Sequence, residues 1–120
     1  MTLTEQQVRE FAEGWIQAWN SHDIDAIMSH YSADVILTSP VVAKLLNEPF
    51  GAIVGYHGVR AYFARGLEAY PQLKFSLVDV LWGMSSIVIY FDNQKGTRTA
   101  EFLELDRSMR VIRAVANYNG

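Results

Sequence analysis

The apolar residues of this chain keep two periods, and the change between them falls at Leu73. Before it they recur every three or four positions. After it they alternate with polar ones. Helices first and strands second make an α+β domain, with the helices gathered on one face of an antiparallel sheet. Thr4-x-x-Gln7 reads as a capping box opening the first helix; Thr2-x-x-Glu5 is a second candidate. Val8, Phe11, Trp15 and Trp19 form one apolar stripe on it, ending near Asn20, with Arg9, Glu13 and Gln17 opposite. Asp23 is the expected N-cap of a second helix, whose stripe is Ile24, Ile27, Met28 and Tyr31. Val35, Ile36 and Leu37 predict a short strand, ended at Ser39-Pro40 because proline lacks a ladder donor. A third helix is expected from Gly58, burying Val59, Tyr62, Phe63 and Leu67 and stopping before Pro71.

Leu73, Phe75 and Leu77 begin the alternation. Gly83-Met84-Ser85, Asp92 to Gly96 and Arg107-Ser108-Met109 are turns. They divide the second half into a four-stranded antiparallel meander, joined at its edge by the strand at 35–37. The connection 41–56 is apolar yet broken. It is expected to form a short helical turn and a flap over a pocket mouth.

The 120 residues form one domain, 1–120, with no linker or internal repeat. Half the residues are hydrophobic and 19% are charged, so a packed core is available. The net charge of -3 and the lack of a basic run argue against nucleic acid or anionic lipid as partner. Without cysteine there is no thiolate chemistry and no cysteine-ligated metal. No apolar run reaches membrane-spanning length and no leader pattern follows Met1, so a cytoplasmic protein is expected.

Common catalytic motifs are missing. Gly51, Gly55 and Gly58 have the wrong spacing for a dinucleotide loop and read as turn residues. His22, His30 and His57 have no partner at a metal-ligand spacing. His22 falls at a helix C-terminus and reads as a cap; His57 reads as an exposed loop residue. His30 stands beside Tyr31 where an apolar residue is expected, either as a hydrogen-bonded core residue or as a pocket acid or base. Alternation puts Thr99, Glu101, Leu103 and Leu105 on one face of their strand, and Ile112, Ala114, Ala116 and Tyr118 on one face of the next. If these faces turn inward, Glu101 is a buried carboxylate, which is costly unless paired, hydrogen-bonded or neutral. The inverted register would leave it in solvent. Ala114 and Ala116 leave room, and Tyr118 supplies a polar tip. Trp15 and Trp19 read as core, with N–H groups that need partners.

Taken together, Trp-x-x-x-Trp-Asn-x-His-Asp-x-Asp-x-Ile (15–27), Tyr-x-x-Asp-Val-x-x-x-Ser-Pro (31–40), Gly-x-x-x-Val-Arg-x-Tyr-Phe-x-x-x-Leu (55–67), Pro-x-Leu-x-Phe (71–75) and Val-x-x-Ala-x-Ala-x-Tyr (111–118) resemble the SnoaL-like branch of the nuclear transport factor 2-like superfamily. The resemblance implies a cone-shaped α+β fold with three N-terminal helices packed in a curved antiparallel sheet, an internal pocket, and a homodimer through the sheet. It covers isomerases, cyclases, dehydratases, epoxide hydrolases and non-enzymatic binding domains, so it fixes fold more than function. Position by position, the general-base aspartate of the ketosteroid isomerases falls on Ser39, their first-helix oxyanion tyrosine on Trp15, and their second oxyanion donor on Glu101. The loss of the base argues against steroid-type isomerisation.

The reading that follows is a pocket for a small apolar molecule, lined by Trp15, Trp19, Tyr31, Ser39, Phe63, Ala114, Ala116 and Tyr118. Glu101 and His30 would carry acid–base isomerisation, cyclisation or dehydration without cofactor or metal. The alternative is a non-catalytic ligand-binding or dimerisation domain. Ala100, Phe102 and Val115 on the outer sheet face are the expected dimer patch.

Overall fold

The computed structural model describes residues 2–120. Helix α1 (Glu5–Ser21) opens on the Thr4 capping box: the Thr4 hydroxyl accepts from Gln7 N at 3.1 Å and the Gln7 side chain accepts from Thr4 N at 3.0 Å. It closes on His22 in the left-handed region, φ 61°. The His22 ring is more than a cap. Its Nε2 bonds the Leu73 carbonyl at 2.8 Å, and Asn20 bonds both backbone groups of Phe75. These contacts fix the end of α1 to the start of the sheet.

Asp23 caps a one-turn helix α2 (Ile24–Met28) through the N–H groups of Asp25 and Ala26. Tyr31 is not part of its stripe. It is the first residue of strand β1 (Tyr31–Thr38), four residues longer at its start than the apolar run 35–37 indicates. Helix α3 (Pro40–Leu46) has Ser39 as N-cap and Pro40 in its first turn, where the missing N–H costs nothing. Strand β2 (Ala52–Val54) follows, then helix α4 (Tyr56–Ala69), which starts two residues before the expected Gly58. The described residues therefore form four helices where the sequence predicts three, because 40–46 completes a helix of its own. Strands β3 (Ser76–Trp82), β4 (Ser86–Asp92), β5 (Arg98–Leu105) and β6 (Val111–Tyr118) form the meander. The Leu73–Phe75 segment lies outside the ladder, held instead by His22 and Asn20.

The sheet order is β2-β1-β6-β5-β4-β3. All neighbours are antiparallel except β1 and β6, which are parallel. The expected all-antiparallel sheet is thus interrupted once: β1 reaches β6 only across the long intervening chain, and a crossover of that length permits a parallel pair. A register shift between Glu104 and Leu105 brings Val111, rather than Ile112, into the core.

One sheet face and the helices share the core. Ile87, Ile89, Phe91, Leu103, Leu105, Val111 and Ala114 pack against Val8, Phe11, Trp15 and Trp19 of α1 and Val59 and Phe63 of α4. Each large side chain among them contributes about 1.5–3 kcal/mol by leaving water. In the 41–56 connection only Val42 and Gly51 are fully buried. Leu45, Leu46, Val54 and Phe50, the last 81% exposed, face solvent rather than packing down. The connection is anchored at Ser39, whose N–H donates to the Gly51 carbonyl at 2.8 Å. Gly51 has φ 65°, and a Cβ there would lie 2.6 Å from the Ser39 oxygen, so the position admits only glycine without strain.

Candidate functional site

Strand alternation turns Thr99, Glu101, Leu103 and Leu105 inward and leaves Arg98, Ala100, Phe102 and Glu104 half-buried outside. Glu101 sits in the ladder between Ile89 and Ala116, 7% exposed. The two arginines near it in the sheet are committed elsewhere. Arg98 pairs with Asp92 and covers Tyr90; Arg113 pairs with Glu104 at 3.2 Å and covers Phe102. Burial alone therefore acts on the Glu101 carboxyl, and it pushes the pKa up to about 7. Trp19 Nε1 is the one fully enclosed side-chain polar atom among the described residues that lacks a partner. Glu101 has no hydrogen bond either, so its oxygens must keep contact with open space.

Aromatic rings build the surroundings. Trp15 stacks on Phe75 at 6.0 Å between centroids, Phe75 lies tilted against Phe91 at 4.4 Å, and Trp19 meets Phe63 edge-on at 4.8 Å. Trp15 Nε1 donates to the Tyr31 hydroxyl at 3.0 Å, leaving the phenol's own proton free to be donated. Burial raises the Tyr31 pKa far above the ordinary phenol, the negative charge of Glu101 raises it further, and the two indoles act the other way. Tyr62 is raised by the same two causes in the same order. Tyr118 is pushed up to about 12 by burial and then by Glu101, with Ser39 opposing. Three phenols thus lie in the field of one carboxyl.

Replacing Tyr31 by phenylalanine is expected to destabilise by about 1–3 kcal/mol, since it leaves the buried Trp15 N–H unpaired. Chemical denaturation measures this; an unchanged midpoint would mean that Trp15 finds another acceptor.

Of the residues picked from the sequence, Trp15, Trp19, Tyr31 and Phe63 meet in one cluster, and Ala114 and Ala116 face inward. Ser39 is buried, its hydroxyl accepting from Val41 N at 3.1 Å. Tyr118 is 42% exposed and stands at the rim. His30 is not brought to Glu101. Its ring lies against Phe11 at 5.3 Å, and Nδ1 bonds the Ala26 and Ile27 carbonyls at 3.2 and 3.3 Å. Tyr31 is registered on Val111 and Glu101 on Ala116. That separation is about 16 Å along β6 at roughly 3.3 Å per residue. The long Tyr31 side chain spans part of it, while His30 turns back toward α2. Sequence reasoning missed Tyr62 as a site residue, although it lies on the α4 stripe beside Phe63.

Two hollows lie away from this cluster. One of about 370 Å³ is lined by Glu13, Ile16, Gln17, Asn20 and Leu77; one of about 180 Å³ is lined by Tyr90, Arg98, Ala100, Asn117, Tyr118 and Asn119. Among the described residues no group of three or more His, Asp or Glu is placed to hold a metal ion. Among the described residues no helix is long and apolar enough to cross a membrane.

Residues 12–114 match the family model of the SnoaL-like domain. No curated protein sequence matches the chain. A SnoaL-like protein of unknown function from Burkholderia thailandensis is similar over 100% of both chains, at 34% identity and TM-score 0.97. A proposed isomerase of the SnoaL-like family from Agrobacterium tumefaciens aligns at 14% identity and TM-score 0.75, over 96% of this chain and 99% of its own. TerC, co-crystallised with polyporic acid, aligns at 13% identity and TM-score 0.74, over 92% of this chain and 90% of its own. The last two share the fold.

Proposed function

This chain belongs to the SnoaL-like family of the nuclear transport factor 2-like superfamily, and from that premise we propose that it performs acid–base chemistry on a small, largely apolar carbonyl compound held against Glu101. The observation that carries the reading is the unpaired, buried Glu101 carboxyl among aromatic rings, with a pKa near 7. A group poised there is protonated and ionised in comparable amounts at neutral pH, and so gives or takes a proton with little penalty. The ionised carboxylate removes a proton from the carbon beside the carbonyl and returns it to another carbon. Tyr31 and Tyr118 offer hydroxyl donors to the oxygen where negative charge develops. Ser39 stands where the resemblance puts the base of ketosteroid isomerases, so in this chain Glu101 takes the proton-transfer role. The fold's capacity for a small molecule is supported by TerC with polyporic acid.

Binding without turnover is the second reading: Glu101 lines neither of the two hollows described above, so a ligand held in either would not meet the carboxyl. Deuterium uptake distinguishes the two. With β-tetralone in heavy water at neutral pH, mass spectrometry is expected to show uptake beside the carbonyl faster with the protein than with buffer alone. Uptake at the buffer rate with the ketone bound would leave only the binding reading.

A further inference from the structure

We propose that the free edge of strand β3 and the groove beside it bind an extended peptide segment in which apolar and basic residues alternate, added to the sheet as a further strand. This surface is separate from the Glu101 site and does not depend on it. Strand β3 ends the sheet on one side, and every residue of it except Val80 is exposed. An edge strand offers a row of unpaired backbone groups, and proteins blunt such edges with short strands, lysine or proline. The other edge, β2, is three residues long, and the Glu48 carboxylate takes the N–H of Ala52. Strand β3 carries neither lysine nor proline, and Leu77, Val78, Leu81 and Trp82 are its exposed apolar residues.

The turn after β3 fixes which backbone groups are free. Gly83 N donates to the Ser86 carbonyl at 2.9 Å, so this is a hydrogen-bonded pair. Antiparallel alternation then bonds Leu81 to Val88 and Asp79 to Tyr90. It turns the backbone groups of Trp82, Val80 and, across the bulge, Leu77 away from β4. Phe75 continues the outward set, and there Asn20 bonds both groups, at 2.7 and 2.9 Å, as a neighbouring strand does. The Val80 N–H is taken by the Asp79 carboxylate at 2.8 Å. Among the described residues, the N–H groups of Leu77 and Trp82 have no partner. An added strand begins where Asn20 stops.

Leu77 is registered on Phe91, a core residue, so a residue set opposite Leu77 points to the helix side. It enters the hollow of about 370 Å³ between α1 and β3, whose apolar walls are Ile16 and Leu77. That position takes an apolar side chain. Glu13 lines the same hollow and Asp79 stands on the edge itself, while Arg9, the base near both, is held by Glu5 at 2.8 Å. The two acids favour lysine or arginine beside the apolar residue. A second copy of β3 would set Asp79 and Glu13 against their own counterparts, and like charges oppose that pairing.

The experiment titrates short blocked peptides, one of alternating valine and lysine and one of alternating valine and glutamate, into ¹⁵N-labelled protein and follows amide exchange residue by residue. The lysine peptide is expected to saturate below about 1 mM and to slow exchange at Leu77 and Trp82 about tenfold or more; the glutamate peptide is expected to do neither. Glu13→Lys is expected to weaken the lysine peptide about three- to tenfold. Leu77→Pro removes an N–H that the folded chain leaves unpaired, and is expected to weaken it by a similar factor. If the proline variant does not fold, Glu13→Lys and exchange in the unaltered protein still decide. A lysine peptide that never saturates, or that saturates without slowing Leu77 and Trp82, would overturn binding at this edge. Equal binding of the two peptides would overturn the basic partner. Slow exchange at both amides without peptide, deepening with protein concentration, would mean that a second copy takes the edge and would overturn the peptide as its occupant.

Discussion

Glutamine in place of Glu101 is expected to make the protein more stable above neutral pH and to remove a slope in its stability between about pH 4.5 and 7. The folded state raises this carboxyl from 4.5 to about 7, so over that window the folded chain holds a proton that the unfolded chain has released. Stability is then full below the unfolded value, falls as pH rises through the folded one, and levels off above it. The size is about 3 kcal/mol, from 1.36 kcal/mol per pKa unit. A group 7% exposed needs no large discount for solvent screening. Glutamine keeps the shape and cannot ionise, so the variant should be flat over the window and gain at pH 8 most of what the native protein loses there. Proton transfer to β-tetralone should fall by about 10²–10⁴-fold, the usual share of a general acid or base. Guanidinium melts at pH 5 and pH 8 for both proteins measure the first effect, and deuterium uptake the second. A native profile without slope, or a variant weaker at pH 8, would mean that the carboxylate has a partner that stabilises its charge.

The inward position of Glu101 was legible because β5 keeps strict alternation over its whole length, and period two fixes both faces once one is buried. The same rule stumbled at Ile112. The bulge opposite Glu104 inserts a residue, and nothing in the local composition announces it. Tyr31 reads as the next residue of a helical stripe after Ile27 and Met28, since a one-turn helix is too short for its period to be seen ending. The parallel contact of β1 with β6 rests on residues about eighty positions apart, and no local pattern carries such a pairing. From the sequence His30 reads as a site residue because it neighbours Tyr31; on entering a strand, however, neighbours point to opposite sides. What tells His30 from Glu101 is the set of carbonyls around its ring, which only the folded chain displays.

Trp15 and Trp19 share a helix face, yet their replacement is expected to report different things. Trp15→Ala should cost about 3–5 kcal/mol, the range for removing a large aromatic from a packed core. Trp15 is 2% exposed and touches Trp19, Phe75 and Phe91 through its ring. For a domain of this length the loss corresponds to a fall in melting temperature on the order of 10–20 °C. Alanine also strips the Tyr31 oxygen of its donor, so the collapse reaches the phenol nearest the site. The milder pair of changes separates ring from hydrogen bond. Trp15→Phe and Trp19→Phe remove similar ring area, but the first breaks a 3.0 Å bond to the Tyr31 hydroxyl, whereas the second removes a contact with that hydroxyl that falls outside good hydrogen-bond geometry. Trp15→Phe should therefore be the more destabilising by about 0.5–1.5 kcal/mol, the net worth of one such bond. Thermal melts of the three variants without ligand test this. Equal losses for the two phenylalanine variants would mean that the Trp19 N–H is bonded in the folded chain as firmly as that of Trp15.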